Sequence, residues 1–225
     1  QQAFDEALAA VRGSNHAVEA SIQGLYAAVL LWQGRWAEAQ LAAAEAHRIG
    51  AQVRSLFTFA MGHAAGAYGA WMERRAPESP QALLDAAAWL APRGGGLFSS
   101  FNHGWLAEVL VDQGQLGQAR HHIAQALQRG RQHDWIGVAM AYRAAARVAP
   151  EAAAAERYLA LARRVAQRRG AVHELAVTDL CAAELALARG QPAQGWLDAA
   201  VAEFERLGMG WHLARGLELQ RQQLR

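Results

Sequence analysis

The segment from Phe101 to Trp105 (Phe-Asn-His-Gly-Trp) places two aromatic rings, an amide and an imidazole within five residues. Apolar walls with a few convergent polar groups are typical of a small-ligand site. Glu108, further along the same predicted helix, would add a carboxylate. The alternative is that Phe101 and Trp105, four residues apart on one helical face, pack in the core. The sequence leaves both interpretations open.

Side chains that could act as nucleophiles or metal ligands lack the partners that such chemistry requires. Ser99 and Ser100 are not set in the Gly-x-Ser-x-Gly turn of a hydrolase, and a chain without lysine has no lysine-containing phosphate loop. His121 and His122 are adjacent, so on a helix they point about 100° apart and do not chelate one metal. Cys181 lies on an apolar stripe and is interpreted as a small core residue. We therefore predict a protein that is not an enzyme, with no catalytic residue, metal or cofactor.

The elements that would position these residues follow a repeated design of a helix, a short glycine turn and an alanine-rich helix. The turn glycines Gly34, Gly114 and Gly190 are 80 and 76 residues apart, about twice a period of 39. Glycine suits the turn because many helices end on a residue in the left-handed region. Five positions after each glycine stands a small residue, which we expect where two helices cross: Ala39, Ala119 and Gly195.

Two less regular units fit halfway between these three, near residues 75 and 150. No stretch alternates at the period of a strand. The sequence therefore predicts an all-α fold, an α-solenoid of about five antiparallel hairpins in one domain, 1–225. We expect hairpins at about 15–50, 53–91, 97–130, 134–169 and 171–207, flanking helices at 1–12 and 211–224, and a flexible joint at Gly94-Gly95-Gly96.

This pattern resembles the tetratricopeptide repeat. The resemblance rests on Gly34/Trp36/Ala39/Ala46, Gly114/Leu116/Ala119/Ala126 and Gly190/Ala199/Ala202. The period is longer than the family's usual 34 residues, and the proline that commonly closes each repeat is missing. In this the chain is similar to the C-terminal arrays of MalT-like LuxR-type activators and of AAA-type ATPases fused to adenylate cyclase domains. The closing segments Ala166–Ala176, Leu185–Gly190 and Phe204–Arg215 carry that likeness.

The resemblance implies a right-handed superhelix whose concave groove is lined by the first helix of each hairpin. Placed on this pattern, the first helices offer eight candidate groove residues: Phe101, Asn102, His103, Trp105, Glu108, His63, Arg143 and Glu184. We expect Glu108 to be an unpaired charge in the groove, with His63 and Arg143 reaching the same space from neighbouring units. The resemblance also implies an inducer or a regulatory protein as the bound partner.

Composition narrows the class of protein further. The net charge is only +2, which does not favour a general nucleic-acid surface. No run of 18 apolar residues is present, so we expect no membrane-spanning segment. We expect the protein to be located in the cytoplasm. Because the chain opens inside a helical pattern without an initiating methionine, we expect it to be linked to other domains of a longer protein. The functional hypothesis is a ligand- or protein-binding sensor domain of a bacterial signalling ATPase or transcriptional regulator. The alternative is a general scaffold that binds a peptide or a partner protein.

Overall fold

The computed structural model describes residues 2–14, 16–90 and 99–223. Over these ranges it contains twelve helices and no strand, which confirms the predicted all-α class. The helices are α1 (Gln2–Val11), α2 (Ala17–Gln33), α3 (Trp36–Gln52), α4 (Leu56–Arg74), α5 (Ser79–Leu90), α6 (Ser99–Asp112), α7 (Leu116–Arg131), α8 (Val138–Arg147), α9 (Ala152–Arg168), α10 (Val172–Leu187), α11 (Gln194–Leu207) and α12 (Gly210–Gln223). No described helix is both long and apolar enough to cross a membrane.

The helix positions are compatible with the predicted hairpins, while the number of repeats and the right-handed superhelix stay predictions. The pairs α2/α3, α4/α5, α6/α7, α8/α9 and α10/α11 lie within the five expected hairpin ranges, and α1 and α12 match the flanking helices. The expected glycine joint at Gly94-Gly95-Gly96 lies outside the described residues, as do the range ends at 1, 91, 97 and 224.

The chain divides into two compact units, Gln1–Asn102 and His103–Arg225. The first holds α1 to α5 and the first turn of α6, and the second holds the rest of α6 with α7 to α12. Within the second unit, α8 packs on α7, α9 and α10, and α10 also contacts α11 and α12. The single repeat domain over the whole chain remains a prediction.

The turn glycines adopt the conformation that was expected of them. Gly34, Gly114 and Gly190 have φ angles of 73°, 71° and 67°, all in the left-handed region. At the end of α2 the backbone N–H of Gly34 donates to Leu31, and that of Arg35 donates to Leu30. These two bonds form a Schellman motif, which satisfies the last carbonyl groups of the helix. The same pair of bonds follows Gly114 and Gly190.

The small residues at the helix crossings agree with the prediction in two turns and differ in the third. Ala39 and Ala119 are completely buried, but Gly195 is exposed with open space around it. The difference arises because α3 and α7 begin two residues after their glycines, whereas α11 begins four residues after Gly190. Pro192 lies in this longer loop, and Leu197 is the first buried residue of α11. The prediction for Gly195 was therefore wrong by two residues.

Candidate functional site

The densest group of buried charges in the second unit surrounds Arg143 on α8. Its Nη1 donates to Oε2 of Glu174 on α10, and its Nη2 lies 3.5 Å from Oε1 of Glu108 on α6. The side chains of Arg143, Glu174 and Glu108 are 5%, 3% and 18% exposed. The neighbours of Arg143 on its own helix are mostly alanines, so its long side chain extends to the helices on either side. One guanidinium thus joins three helices.

One edge of this guanidinium is only partly occupied. The Nε atom of Arg143 is buried and has no hydrogen-bond partner. Nε–H and Nη2–H point in the same direction from a guanidinium group, and this edge can hold a carboxylate through two bonds. Here the edge has a single long contact, the one with Glu108.

The protonation states around Arg143 follow from burial and from charge pairing. Burial tends to raise the pKa of Glu174, but the Arg143 guanidinium outweighs it and holds the pKa below its ordinary value. Burial tends to lower the pKa of Arg143, but Glu174 and Glu108 together raise it. Burial lowers the pKa of His212 to about 3 and also lowers that of His173, so both rings are neutral at pH 7. The buried group therefore carries two negative charges and one positive charge.

A second ion pair joins α8 to α6, and another joins α10 to the flanking helix α12. Arg147 on α8 pairs with Asp112 on α6 at 2.5 Å, and Arg215 on α12 pairs with Glu184 on α10 at 3.0 Å. We call this set the first-helix face: Glu108 and Asp112 on α6, Arg143 and Arg147 on α8, Glu174 and Glu184 on α10, and Arg215 on α12. Within this face the side chains of Arg143 and Glu174 are the most deeply buried, and those of Glu184 and Arg215 are the most exposed.

Three of the eight candidate residues belong to the first-helix face: Glu108, Arg143 and Glu184. The expectation that Glu108 is unpaired was wrong, because the buried Arg143 lies beside it. The expectation that Glu108 and Arg143 share one space is confirmed. Helical periodicity places a residue on a face, but it does not show that a side chain from the next hairpin will pair with it.

Two of the aromatic candidates are core residues in the structure. Phe101 and Trp105 are each only 2% exposed. The ring of Phe101 lies 6.0 Å from that of Trp32 within the first unit. Of the two interpretations that the sequence left open, the burial supports the core.

The remaining candidates of the first unit have partners of their own. Asn102 donates from Nδ2 to the backbone oxygen of Leu83 at 3.3 Å. His63 lies among other rings, 5.3 Å from His47 and 5.0 Å from Trp89 between centroids. Its shared space with Arg143 stays a prediction, because the two residues belong to different units.

His103 pairs with a residue that the sequence did not connect to it. Its Nδ1 lies 3.1 Å from Nδ1 of His122 on α7, with the rings 23° apart. One ring must donate the hydrogen and the other accept it, so the two carry different tautomers. Burial lowers the pKa of each to about 4, and His121 nearby contributes to both shifts. Both rings are neutral at pH 7.

Sequence reasoning missed Glu174, Asp112 and Arg215, although a signal was present. Glu108 and Arg143 are 35 residues apart, as are Asp112 and Arg147. Arg143 and Glu174, and likewise Glu184 and Arg215, are 31 apart. Opposite charges that recur at separations of 35 and 31 residues, somewhat below the period of about 39, would have been the signal.

The one cysteine of the chain, Cys181, is buried. Burial raises the pKa of the Cys181 thiol to about 12, which leaves the thiolate form unpopulated at pH 7. Across residues 2–14, 16–90 and 99–223, no three His, Cys, Asp or Glu side chains are grouped so that they could hold a metal ion.

Comparisons with protein-family models, with curated proteins and with solved structures give no match for this chain.

Proposed function

We propose that this chain is a non-catalytic sensor domain that binds a ligand on the first-helix face of its second unit. It would act in the cytoplasm as a regulatory part of a longer protein, such as a bacterial signalling ATPase or a MalT-like transcriptional regulator. The repeat pattern of the sequence supports this class of protein, and the charges on the first helices support the binding role.

The observation that carries the proposal is the buried guanidinium of Arg143 with an unpartnered Nε. Buried ion pairs are often no more stabilising than apolar side chains of similar size. Most of the buried side-chain atoms that lack a hydrogen-bond partner in the described residues belong to neutral rings and amides, whereas Nε of Arg143 belongs to a charged group whose N–H can serve a bound acceptor. In an array of alanine-rich helices, such a group favours recognition over packing.

A general peptide-binding scaffold is the second candidate. The more exposed pairs, Asp112 with Arg147 and Glu184 with Arg215, would offer a peptide charged contacts along several first helices. The mixture of an arginine and two carboxylates in one buried group favours a small ligand instead, because a small polar molecule can be surrounded on several sides.

Thermal-shift screening of the purified chain against a metabolite library and a displayed peptide library separates the two candidates. Ligand-dependent protection in hydrogen exchange should be concentrated in α6, α8 and α10. The outer helices α9 and α11 serve as internal controls and should change little. A ligand that binds tightly but protects none of the three first helices would contradict the proposed site.

The non-catalytic part of the proposal has its own assay. The purified chain should hydrolyse neither nucleotides nor activated esters. If the purified chain shows any turnover, the same assay is repeated with the variants Ser99→Ala and His103→Ala. Turnover that disappears in either variant would show that the chain is an enzyme.

A further inference from the structure

Arg143 offers a buried binding edge that its own protein neighbours do not fill. Glu174 occupies Nη1, which is not one of the two nitrogens of the Nε/Nη2 edge. On the Nε/Nη2 edge, Nη2 has only the long 3.5 Å contact with Glu108, and Nε has no acceptor. The spacing of these two N–H groups matches the two oxygens of a carboxylate. The buried Nε–H of Arg143 can therefore donate to an acceptor atom of a ligand.

Glu108 is the partner that a ligand can displace. Its side chain is 18% exposed, against 3% for Glu174. Its contact with Arg143 is longer than an ordinary charge-assisted hydrogen bond. A ligand that approaches from the exposed side meets Glu108 first and leaves the pair of Arg143 and Glu174 intact.

The charges of this group select among ligand classes. Arg143, Glu108 and Glu174 themselves carry one net negative charge, while Arg147 and Arg169 act on the two carboxylates from further away. A simple anion would fill the edge but would add a second net negative charge, which is costly away from water. A simple cation would neutralise Glu108 but leave Nε without an acceptor. A zwitterion adds no net charge and satisfies both groups.

We infer that the ligand carries a carboxylate and an ammonium group close together, as an amino acid does. Its carboxylate accepts from Nε and Nη2 of Arg143, and its ammonium group donates to the displaced carboxylate of Glu108. This inference rests on the proposed function, because it names the ligand class of the same site.

Isothermal titration calorimetry of the purified chain with each of the twenty standard amino acids tests the inference. Ethylamine and propionate serve as probes that carry only one of the two charges. At least one amino acid should bind, and both single-charge probes should bind at least about tenfold more weakly. Ethylamine that binds as tightly as the best amino acid would overturn the inference, and so would a complete absence of amino-acid binding.

Two matched variants connect the binding to this site. Glu108→Gln keeps the size of the side chain and should raise the Kd by about tenfold or more. Glu203→Gln removes a carboxylate outside this face, where it pairs with Arg206 on α11, and should leave the Kd unchanged. Circular dichroism establishes that both variants are folded. An unchanged Kd in Glu108→Gln would overturn the inference.

The thermal-shift screen and the hydrogen-exchange measurement distinguish a failure of the zwitterion inference from a failure of the proposed binding face. If another class of metabolite protects α6, α8 and α10 while no amino acid binds, the binding face stands and the zwitterion is wrong. If neither library gives a ligand for these helices and no amino acid binds, both ideas fail together.

Discussion

The Nδ1 atoms of His103 and His122 lie 3.1 Å apart, so a hydrogen bond between two neutral imidazoles joins α6 to α7. Burial holds the pKa of both rings near 4, well below the ordinary value of 6.5. In the unfolded chain both rings are protonated as the pH falls through 6.5, while the folded protein resists protonation down to about 4. The folded state therefore loses stability across this window.

We expect the free energy of unfolding to change little between about pH 7 and 8 and to fall between pH 6.5 and 4. Each such histidine contributes up to about 1.4 kcal/mol per pH unit where only the unfolded state binds the proton. Urea titrations at pH 7.5, 6.5, 5.5 and 4.5 measure this slope. The double variant His103→Leu/His122→Leu should show a shallower slope. A slope that is the same in the double variant would show that the pair is not the cause.

Breaking the buried ion pair should be far more damaging than replacing it. Glu174→Leu leaves the Arg143 charge buried with only the long contact to Glu108, and should cost about 3–5 kcal/mol of unfolding free energy. Adding Arg143→Met should recover most of that loss, because an apolar pair needs no compensating charge. Denaturant titrations of the single and double variants form the test. Glu203→Ala, which breaks an exposed pair with Arg206, should change little. Equal losses in the single and double variants would contradict this account.

The turn after α6 should depend on the left-handed conformation of Gly114. Gly114→Val should cost more than about 1 kcal/mol of unfolding free energy, because a Cβ atom is disfavoured at positive φ. Gly117→Val is the matched control, since both glycines have open space where the side chain would go and only Gly114 has a positive φ. Thermal and urea melts of the two variants give the comparison. If both lose the same stability, the turn conformation is not responsible.

Two tryptophans distinguish the core from the surface of the second unit. Trp105→Ala should lower the unfolding free energy by about 3–5 kcal/mol, because its side chain is almost completely buried. Trp196→Ala removes a ring that is 41% exposed and should have a much smaller effect. Chemical denaturation measures both variants. If the Trp105→Ala protein has normal stability, Trp105 is not a core residue and becomes a candidate ligand contact again.

The sequence by itself determined the helices and the turns. Alanine-rich segments, glycines and prolines act through local backbone preferences, so they predict where helices begin and end. The helix pairs accordingly lie within the predicted hairpin ranges, and Gly34, Gly114 and Gly190 have the expected positive φ. The resemblance to the tetratricopeptide repeat placed Glu108, Arg143 and Glu184 on the predicted first helices.

Only the tertiary structure decided which side chains meet across helices. The pairing of Arg143 with Glu174 joins residues 31 apart, and that of His103 with His122 joins residues 19 apart. Such pairs depend on how far one helix is shifted and rotated against the next, which local preferences do not fix. The two-residue shift at α11, which exposes Gly195, shows how a longer loop changes that packing. For the same reason the sequence could place Phe101 and Trp105 on one helical face, but the packing of the helices decided that both are buried.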